Sequence, residues 1–209
     1  MKYITEQEKF WAKEFGDQYI IRNNFTDIQP KKINLFSEIF QNCSSVKNVI
    51  EFGPNTGVNL MAISTLLPLV RLSAVEINSQ AASQIKKLNF CEKIWNESML
   101  NFKSKKKYDL SFTSGVLIHI NPKYLDFAYK ALYESSRKYI LIIEYYNPDP
   151  IAIDYRGHKN KLFKRDFAGD IIKKYNDVKL IKYGFKYKSD NNFPLDDVTW
   201  FLLEKKIKN

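Results

Sequence analysis

The run YILIIEYY at residues 139–146 is the feature that most constrains how this chain folds. Its apolar character is nearly continuous, which is typical of a strand buried on both faces. Such a strand lies in a sheet with a layer on each side, and helices are the elements that cover both faces of a parallel sheet. The run therefore predicts an α/β fold.

Shorter apolar runs alternate with helical stretches through the middle of the chain. This alternation predicts a doubly wound, Rossmann-like sheet with right-handed crossovers. Near the C-terminus, two strand-like segments joined by the polar SDNNFP predict an antiparallel hairpin, which completes a seven-stranded, mostly parallel sheet. The expected strands are 46–52, 70–77, 93–98, 108–115, 139–146, 178–188 and 196–206, and the expected helices are 58–67, 79–88, 122–135 and 164–175.

The N-terminal region has helical periodicity instead. The spacing of aromatic residues over 5–23 predicts one helix with an aromatic stripe. Thr5, with Glu8 three residues later, matches a capping box. A second helix is expected over residues 30–41. We expect residues 1–44 to form a helical lid or appendage, and residues 45–209 to form one compact domain of the Rossmann-like type.

Composition limits the class of protein. The 209 residues are 44% hydrophobic, which is enough to bury a core, and the formal net charge is +10. Cys43 and Cys91, in a chain with no secretory signal pattern, predict reduced thiols and a cytoplasmic location. No run approaches the roughly 20 apolar residues of a membrane span. We expect a monomer or homodimer with no membrane partner.

The first strand leads into EFGPNTGVN, residues 51–59. A glycine-bearing turn between a strand and a helix lets the backbone approach a ligand closely. Only Gly53 and Gly57 are present, so the dinucleotide pattern G-x-G-x-x-G is incomplete. About 20 residues later the second strand ends at Glu76, which is placed to accept both hydroxyls of a ribose. With Glu51 nearby, the pattern favours a cationic nucleoside over a dinucleotide.

These motifs resemble those of the class I S-adenosylmethionine-dependent methyltransferases. EFGPNTGVN is similar to their first motif, AVEIN to their second, WNESM to the adenine-contacting segment and YDLSFTSGVLIHI to the fourth. One departure is Asn55, which replaces the central glycine of the first motif. The resemblance implies S-adenosylmethionine as the cofactor, and Arg22 as a ligand for its methionine carboxylate. The predicted cofactor-binding residues are Tyr19, Arg22, Glu51, Gly53, Asn55, Thr56, Gly57, Glu76, Ile77, Ser98, Ser114 and Gly115.

A closer resemblance covers almost the whole chain. The segments EKFWAKEFGDQYIIRN, SGVLIHINP, EYYNPDP and YRGHKNKLFKRDFAGD are similar to the methyltransferases associated with pseudaminic acid biosynthesis. This resemblance implies a small acceptor such as a nonulosonic or nucleotide-linked sugar. The family name records an association with a pathway and does not establish the acceptor of this chain.

Catalytic candidates follow the fourth and fifth strands, where α/β sheets bind their ligands. His119 and His158 are candidate bases, and Tyr145 is a candidate for positioning the acceptor. Glu144 lies inside the apolar run and is either a structural anchor or a base. His119 itself is either a substrate-facing base or a residue that caps local backbone.

The segment from residue 147 to residue 170 predicts a long, basic loop. Residues 151–209 hold 14 Lys and Arg against 8 Asp and Glu, whereas residues 51–100 are neutral. Long loops beside a ligand site are often functional, and arginine can hold a carboxylate or phosphate with two hydrogen bonds. We therefore expect an anionic acceptor. The predicted substrate-binding residues are Tyr146, Arg156, Lys161 and Arg165.

Three alternatives remain open at this point. The net charge favours a nucleic-acid methyltransferase, but the fourth strand is not followed by the Asn/Asp-Pro-Pro-aromatic motif of amino-methyltransferases of DNA, and neither cysteine follows a proline. A non-catalytic S-adenosylmethionine-binding domain would bind the cofactor without turnover. A nicotinamide-dependent enzyme is disfavoured by the missing glycine. No set of ligands has metal-binding spacing, so we expect metal independence.

Overall fold

The computed structural model of the protein describes residues 3–22 and 25–206, without the side chains of residues 21, 22, 25 and 26. Its strands are β1 Asn48–Phe52, β2 Arg71–Val75, β3 Lys93–Trp95, β4 Tyr108–Ser114, β5 Ser136–Glu144, β6 Ile151–Tyr155, β7 His158–Lys164, β8 Val178–Lys186 and β9 Val198–Lys205. Its helices are α1 Glu6–Ala12, α2 Glu14–Arg22, α3 Phe25–Phe40, α4 Val58–Leu66, α5 Ser79–Leu88, α6 Leu125–Ser135 and α7 Phe167–Lys174. Two single turns, Leu117–His119 and Pro122–Tyr124, precede α6.

The main sheet has seven strands in the order β3-β2-β1-β4-β5-β9-β8. The first five strands are parallel to one another, and β9 is antiparallel to both β5 and β8. This arrangement confirms the predicted doubly wound sheet with a C-terminal antiparallel hairpin. The carboxyl ends of β1, β2, β4 and β5 therefore meet at one edge, where a ligand site is expected.

Strand β5 explains why its sequence is apolar throughout. Ile140 and Ile142 pack into the core formed with α6 and α7, while Leu141 and Ile143 pack into the core formed with α3 and α4. All four side chains are at most 1% exposed. Because successive side chains of a strand point to opposite faces, a strand with a helical layer on each face needs apolar residues at every position.

The N-terminal region differs from the prediction. A single helix over residues 5–23 is wrong, because the chain leaves helical geometry at Lys13 and divides into α1 and α2. Gly16 then lies directly against the main-chain oxygen of Trp11, an approach that only a residue without a Cβ allows. The predicted start of the second helix is also wrong, because α3 begins at Phe25 and contains Pro30.

The predicted loop between residues 147 and 170 is also wrong, because it contains a second, two-stranded sheet of β6 and β7. Tyr155 pairs with His158, and the two residues between them, Arg156 and Gly157, have φ angles of 49° and 81°. Two consecutive positive φ angles are typical of a tight hairpin turn. The hairpin packs beside α1 and the turn Leu117–His119. No helix within the described ranges is long and apolar enough to cross a membrane.

Candidate functional site

A cavity of about 300 Å³ lies at the carboxyl ends of the parallel strands, below α1 and α2. The strand ends and the turns that follow them form its floor, and the N-terminal helices and Tyr155 of the hairpin form its cover. Its walls include Gln7, Glu8, Trp11, Tyr19, Lys32, Gly53, Asn55, Thr56, Asn59, Glu76, Ile77, Asn78, Glu97, Ser98, Ser114, Gly115, His119, Glu144, Tyr145, Tyr155 and Asp196.

The turn between β1 and α4 approaches the cavity with its backbone. Gly53 has a φ of +72°, and a Cβ at this position would lie 2.5 Å from Cγ2 of Val116. Asn55 has a φ of 50°, so it adopts the left-handed conformation without being a glycine. Asparagine is one of the residues that tolerates this conformation best. The replacement of the central glycine therefore still gives a tight turn here.

Glu76 follows β2 and is oriented by the backbone. Its Oε2 accepts a hydrogen bond from the Asn55 amide and its Oε1 accepts one from the Asn78 amide, each at 2.8 Å. Burial raises the pKa of this carboxyl group, and hydrogen bonds from backbone amides oppose the rise. Each oxygen has a further lone pair. A carboxylate held in this way can accept hydrogen bonds from two neighbouring hydroxyl groups in the cavity.

A second polar group lies between β1, α3 and α4. Glu51 is fully buried, and its Oε1 accepts a hydrogen bond of 2.7 Å from Nδ2 of Asn59, which lines the cavity. Oε2 of Glu51 and Oδ1 of Asn59 have no hydrogen-bond partner in the described structure. Burial raises the pKa of Glu51 to about 8, an effect that the Asn59 hydrogen bond and Lys32 oppose.

Lys32 of α3 borders the same part of the cavity. Within the described residues it forms no hydrogen bond or ion pair. Burial lowers its pKa, and the charges of Glu51 and Asp196 oppose the decrease. This part of the site therefore offers both hydrogen-bond acceptors and one cation, which is a suitable environment for a zwitterionic group.

His119 lies on the turn that follows β4. Its Nδ1 lies 2.6 Å from the main-chain oxygen of Lys161, which can only accept, so Nδ1 carries the proton and Nε2 carries a lone pair. Burial lowers the pKa of His119 to about 4, despite the hydrogen bond to Lys161. The ring is packed between Trp11 and Tyr155, with centroid separations of 4.4 and 4.9 Å. His119 is therefore a neutral hydrogen-bond acceptor at the cavity wall near pH 7.

Glu144 holds this turn in place. Its Oε1 accepts hydrogen bonds from the Thr113 hydroxyl at 2.7 Å and from the Val116 and Leu117 amides at 3.0 Å, and its Oε2 accepts one from Ile118 at 3.4 Å. Burial raises its pKa to about 7, and these hydrogen bonds limit the rise. Of the two roles that the sequence left open, the contacts are those of an anchor.

The structure brings most of the predicted cofactor residues together. Tyr19, Gly53, Asn55, Thr56, Glu76, Ile77, Ser98, Ser114 and Gly115 all line the cavity. Glu51 lies behind Asn59, and Gly57 lies at the N-terminus of α4. The side chain of Arg22 falls outside the described structure, so its predicted contact with a carboxylate stays a prediction.

The predicted catalytic residues divide into two groups. His119 and Tyr145 line the cavity, and burial raises the pKa of the Tyr145 phenol, which keeps it protonated. His158 is an exposed residue of β7 that packs against Phe10 and Phe15, with ring centroids at 5.0 and 5.6 Å. It does not line the cavity.

None of the four predicted substrate-binding residues lines the cavity. Tyr146 is 42% exposed and packs on Phe201. Lys161 lies 3.6 Å from a carboxylate oxygen of Glu6, and Nε of Arg165 lies 2.8 Å from one of Asp170. Arg156 lies at the hairpin turn, over the ring of Tyr155. Because the segment folds into a hairpin, its cations pair with surface groups or extend into solvent.

Several cavity residues had no signal in the sequence. Glu8 is identifiable only as part of a capping box, and Trp11 only as part of an apolar helix face. Gln7, Lys32 and Asp196 stand in no motif. No group of three His, Cys, Asp or Glu side chains is placed to hold a metal ion in the described parts of the chain.

No protein-family model matches the sequence, and no curated protein matches it. Solved structures of similar fold include magnesium protoporphyrin IX methyltransferase from Synechocystis with bound S-adenosylmethionine, with a TM-score of 0.66, 10% identity and coverage of 99% of this chain and 100% of that one. A plantazolicin methyltransferase bound to S-adenosylhomocysteine gives a TM-score of 0.65, 15% identity and coverage of 95% and 93%.

A third similar structure is the 1,6-didemethyltoxoflavin-N1-methyltransferase of Burkholderia thailandensis, with a TM-score of 0.67, 9% identity and coverage of 95% of this chain and 86% of that one. It too was crystallised with S-adenosylhomocysteine, together with its substrate. At these identities the likeness concerns the fold. The chain therefore has the fold of the class I S-adenosylmethionine-dependent methyltransferases.

Proposed function

We propose that this protein is an S-adenosylmethionine-dependent methyltransferase that acts on a small molecule. The observation that carries the proposal is Glu76, a buried carboxylate fixed by the amides of Asn55 and Asn78 beside a glycine-bearing turn. A carboxylate in this position of the fold typically accepts hydrogen bonds from the two hydroxyl groups of a ribose. The methyltransferases of similar fold, several of them bound to S-adenosylmethionine or S-adenosylhomocysteine, support the same proposal.

The charges around the cavity fit the cofactor. Among the described wall residues there are five carboxylates, of Glu8, Glu76, Glu97, Glu144 and Asp196, and one cation, Lys32. An acidic environment favours a ligand that carries a sulfonium and an ammonium group. The unpartnered oxygen of Asn59 suits the ammonium group, and Lys32 suits the carboxylate of the methionine end. We assign that carboxylate to Lys32, and the contact predicted for Arg22 stays a prediction.

When bound, the cofactor supplies a methyl group that is already activated by its sulfonium. The protein therefore mainly aligns the acceptor and excludes water. We infer that Nε2 of His119 accepts a hydrogen bond from the attacking O–H or N–H group and takes up its proton as the new bond forms. The protonated phenol of Tyr145 is a donor that can hold the acceptor. Trp11, Tyr19 and Tyr155 cover the site and keep solvent out.

The proposed acceptor is a nonulosonic or nucleotide-linked sugar, or a molecule of similar size. Support for this class comes from the sequence segments at 8–23, 114–122, 144–150 and 155–170. The expected anionic character has less support, because Arg156, Lys161 and Arg165 lie away from the described cavity wall. The net charge of +10 is thus carried mainly by surfaces outside the site.

Calorimetry tests the cofactor assignment. Wild-type protein is titrated with S-adenosylmethionine, S-adenosylhomocysteine, 5′-methylthioadenosine and NAD. We expect the first three ligands to bind and NAD not to bind. Absence of binding by S-adenosylhomocysteine would contradict the proposed function. Binding without any turnover would instead identify a non-catalytic domain. A filter-binding titration across salt tests the nucleic-acid alternative, since phosphate contacts give a steep salt dependence.

Lys32→Met tests the carboxylate assignment within the same experiment. 5′-Methylthioadenosine lacks both the ammonium and the carboxylate group. We expect the variant to bind S-adenosylhomocysteine at least about tenfold more weakly and 5′-methylthioadenosine unchanged. Lys31→Met, one residue earlier in α3 and outside the cavity wall, is the matched control. Equal affinity of wild type and Lys32→Met for S-adenosylhomocysteine would contradict the assignment.

A methylation screen against nucleotide-linked sugars, with the new methyl group located by NMR, then identifies the acceptor.

A further inference from the structure

Helix α1 places three unpartnered polar atoms on residues that line the cavity. Oε1 of Gln7, Oε1 of Glu8 and Nε1 of Trp11 are buried, and each lacks a hydrogen-bond partner in the described structure. Gln7 is 5% exposed and Glu8 is 7% exposed. Buried polar atoms without partners are rare in folded proteins and are found where a ligand or water completes them. Three such atoms on seven residues of one helix point to a ligand.

The other polar atoms of the same side chains are fixed by the protein. Oε2 of Glu8 accepts hydrogen bonds of 2.7 Å from the amides of Ile4 and Thr5, which completes the capping box of α1. Nε2 of Gln7 donates a hydrogen bond of 2.9 Å to the main-chain oxygen of Asn160. Each side chain is therefore held at one end while its other end is left unsatisfied. The two oxygens without partners thus belong to side chains that the protein holds in place, and both are hydrogen-bond acceptors.

These residues lie on the side of the cavity where His119 lies. The indole of Trp11 packs on the imidazole of His119. Gln7 donates a hydrogen bond to the main-chain oxygen of Asn160, and the main-chain oxygen of the next residue, Lys161, accepts one from His119. Nε2 of His119 is an acceptor as well. The wall formed by α1 and His119 thus offers three hydrogen-bond acceptors, on Gln7, Glu8 and His119, and one donor, on Trp11.

We propose that Gln7, Glu8 and Trp11, together with His119, form the acceptor subsite, and that this subsite selects a molecule rich in hydrogen-bond donors, such as a polyhydroxylated or amino-substituted sugar. The inference rests on the proposed methyltransferase function. Hydroxyl and ammonium groups satisfy the three acceptors, and a hydroxyl oxygen satisfies the indole N–H. A carboxylate or phosphate placed against this wall would face Glu8 and unpaired lone pairs, so the acidic group of a nonulosonic or nucleotide-linked sugar would lie away from it.

Glu8→Gln is the sharpest test, because it replaces one hydrogen-bond acceptor with a donor. Glutamine is an accepted capping-box residue, so its oxygen can keep the hydrogen bonds to the backbone of α1. Its NH₂ group then replaces the carboxylate oxygen that has no partner. Glu6→Gln is the matched control, because Glu6 belongs to the same helix and has an 85% exposed side chain. We expect neither variant to lower the midpoint of thermal unfolding by more than about 2 °C.

Binding is measured by ligand-observed NMR on protein saturated with S-adenosylhomocysteine. The probes are galactosamine, methyl galactoside and galacturonate, which share a ring and differ in charge. We expect wild-type protein and Glu6→Gln to bind galactosamine and methyl galactoside at least about tenfold more tightly than galacturonate. We expect Glu8→Gln to lose at least about tenfold in affinity for galactosamine while its affinity for S-adenosylhomocysteine is unchanged.

Three outcomes would overturn the inference: binding of no probe by the wild type, equal or tighter binding of galacturonate, or an equal loss of S-adenosylhomocysteine affinity in Glu8→Gln. The last outcome would make Glu8 a cofactor ligand. Failure of the wild type to bind S-adenosylhomocysteine at all would instead count against the proposed function. Trp11→Phe is a second variant, which removes the indole N–H and retains an aromatic ring. It should weaken both neutral and cationic probes and leave S-adenosylhomocysteine binding unchanged, and unchanged probe binding would contradict the inference.

Discussion

The imidazole Nδ1 of His119 donates a hydrogen bond of 2.6 Å to the main-chain oxygen of Lys161. This contact joins the turn after β4 to the hairpin of β6 and β7, across 42 residues of sequence. It fixes the tautomer of His119, so that Nε2 keeps its lone pair, and burial keeps the ring neutral with a pKa of about 4. A residue predicted for the substrate site, Lys161, thus contributes through its backbone to the orientation of the imidazole.

We predict that His119→Ala lowers kcat by roughly 100-fold, since a positioned acid–base group typically contributes a factor of this order. The affinity for S-adenosylhomocysteine should change little, because no proposed cofactor contact is removed. Turnover with the acceptor found in the methylation screen and calorimetry with S-adenosylhomocysteine measure the two effects. His158→Ala is the comparison, and we expect near wild-type kcat because His158 lies outside the cavity. Similar losses in both variants would argue against the assignment.

Glu76→Ala should weaken S-adenosylhomocysteine binding by at least about tenfold, because the ribose would lose its acceptor and two backbone amides would lose their partner. Calorimetry gives the dissociation constant directly. Glu92→Ala, which removes an exposed carboxylate paired with Lys106, serves as the control and should bind like the wild type. An unchanged affinity in Glu76→Ala would refute the ribose assignment.

Glu144→Ala is predicted to destabilise the protein by about 3 kcal/mol, since several buried donors lose their acceptor at once. Urea unfolding measures this difference. Glu144→Gln retains one carbonyl oxygen and should recover more than half of the lost stability. If Glu144 were instead a base, Glu144→Gln would keep the stability of the wild type and lose most of its turnover.

The stability of the wild type should depend on pH through Glu51. Its folded pKa of about 8 lies above the unfolded value, so the folded state binds more protons between about pH 4.5 and 8. The stabilisation from the neutral carboxyl is complete below the unfolded pKa and is lost as the pH rises through 8. Glu51→Gln cannot ionise and keeps an acceptor for Asn59. The midpoint of thermal unfolding of Glu51→Gln minus that of the wild type should therefore increase by on the order of 5 °C between pH 5 and pH 8.5. A constant difference would contradict this prediction.

Gly53→Ala and Gly115→Ala form a matched pair at the edge of the cavity. Both positions have positive φ, of +72° and +67°, but only at Gly53 would a Cβ meet another atom, Cγ2 of Val116. We expect both variants to lose about 1 kcal/mol from backbone strain, and Gly53→Ala to lose a further 1 to 3 kcal/mol. S-adenosylhomocysteine affinity should fall mainly in Gly53→Ala. Urea unfolding and calorimetry compare the two variants, and equal losses would contradict the role given to Val116.

Much of the fold followed from local patterns. The structure confirms the buried strand in the run 139–146, although β5 ends at Glu144, and it confirms the alternating strands and helices and the C-terminal hairpin. These could be predicted because the period of apolar residues depends on the local geometry of each element. Two of the three errors, the single N-terminal helix and the loop at 147–170, have local causes that the spacing of apolar residues does not reveal. Lys13 interrupts an aromatic stripe that continues across the break, and the Arg156–Gly157 turn depends on two positive φ angles within a polar segment.

The candidate site divides in the same way. Gly53, Asn55 and Glu76 could be predicted, because each follows a strand and the carboxyl ends of parallel strands meet at one edge. The place of Trp11 at the cavity could not be predicted, because the sequence pattern of an apolar helix face is the same whether its aromatic residue packs in a core or covers a cavity. Lys32 and Asp196 stand in segments without a motif. They line the same cavity only because α3 packs on the sheet beside the segment that leads into β9.

The sequence by itself determined the sheet, the first turn and the acid at the end of β2, since these depend on residues near one another in the chain. Only the tertiary structure decided which charges face the cavity. Gln7, which lines the cavity, is held by Asn160, 153 residues away, while the cations of the hairpin segment pair with groups such as Glu6 and Asp170. The orientation of a hairpin depends on packing against distant elements, so a count of charges along the chain does not give the electrostatics of the cavity.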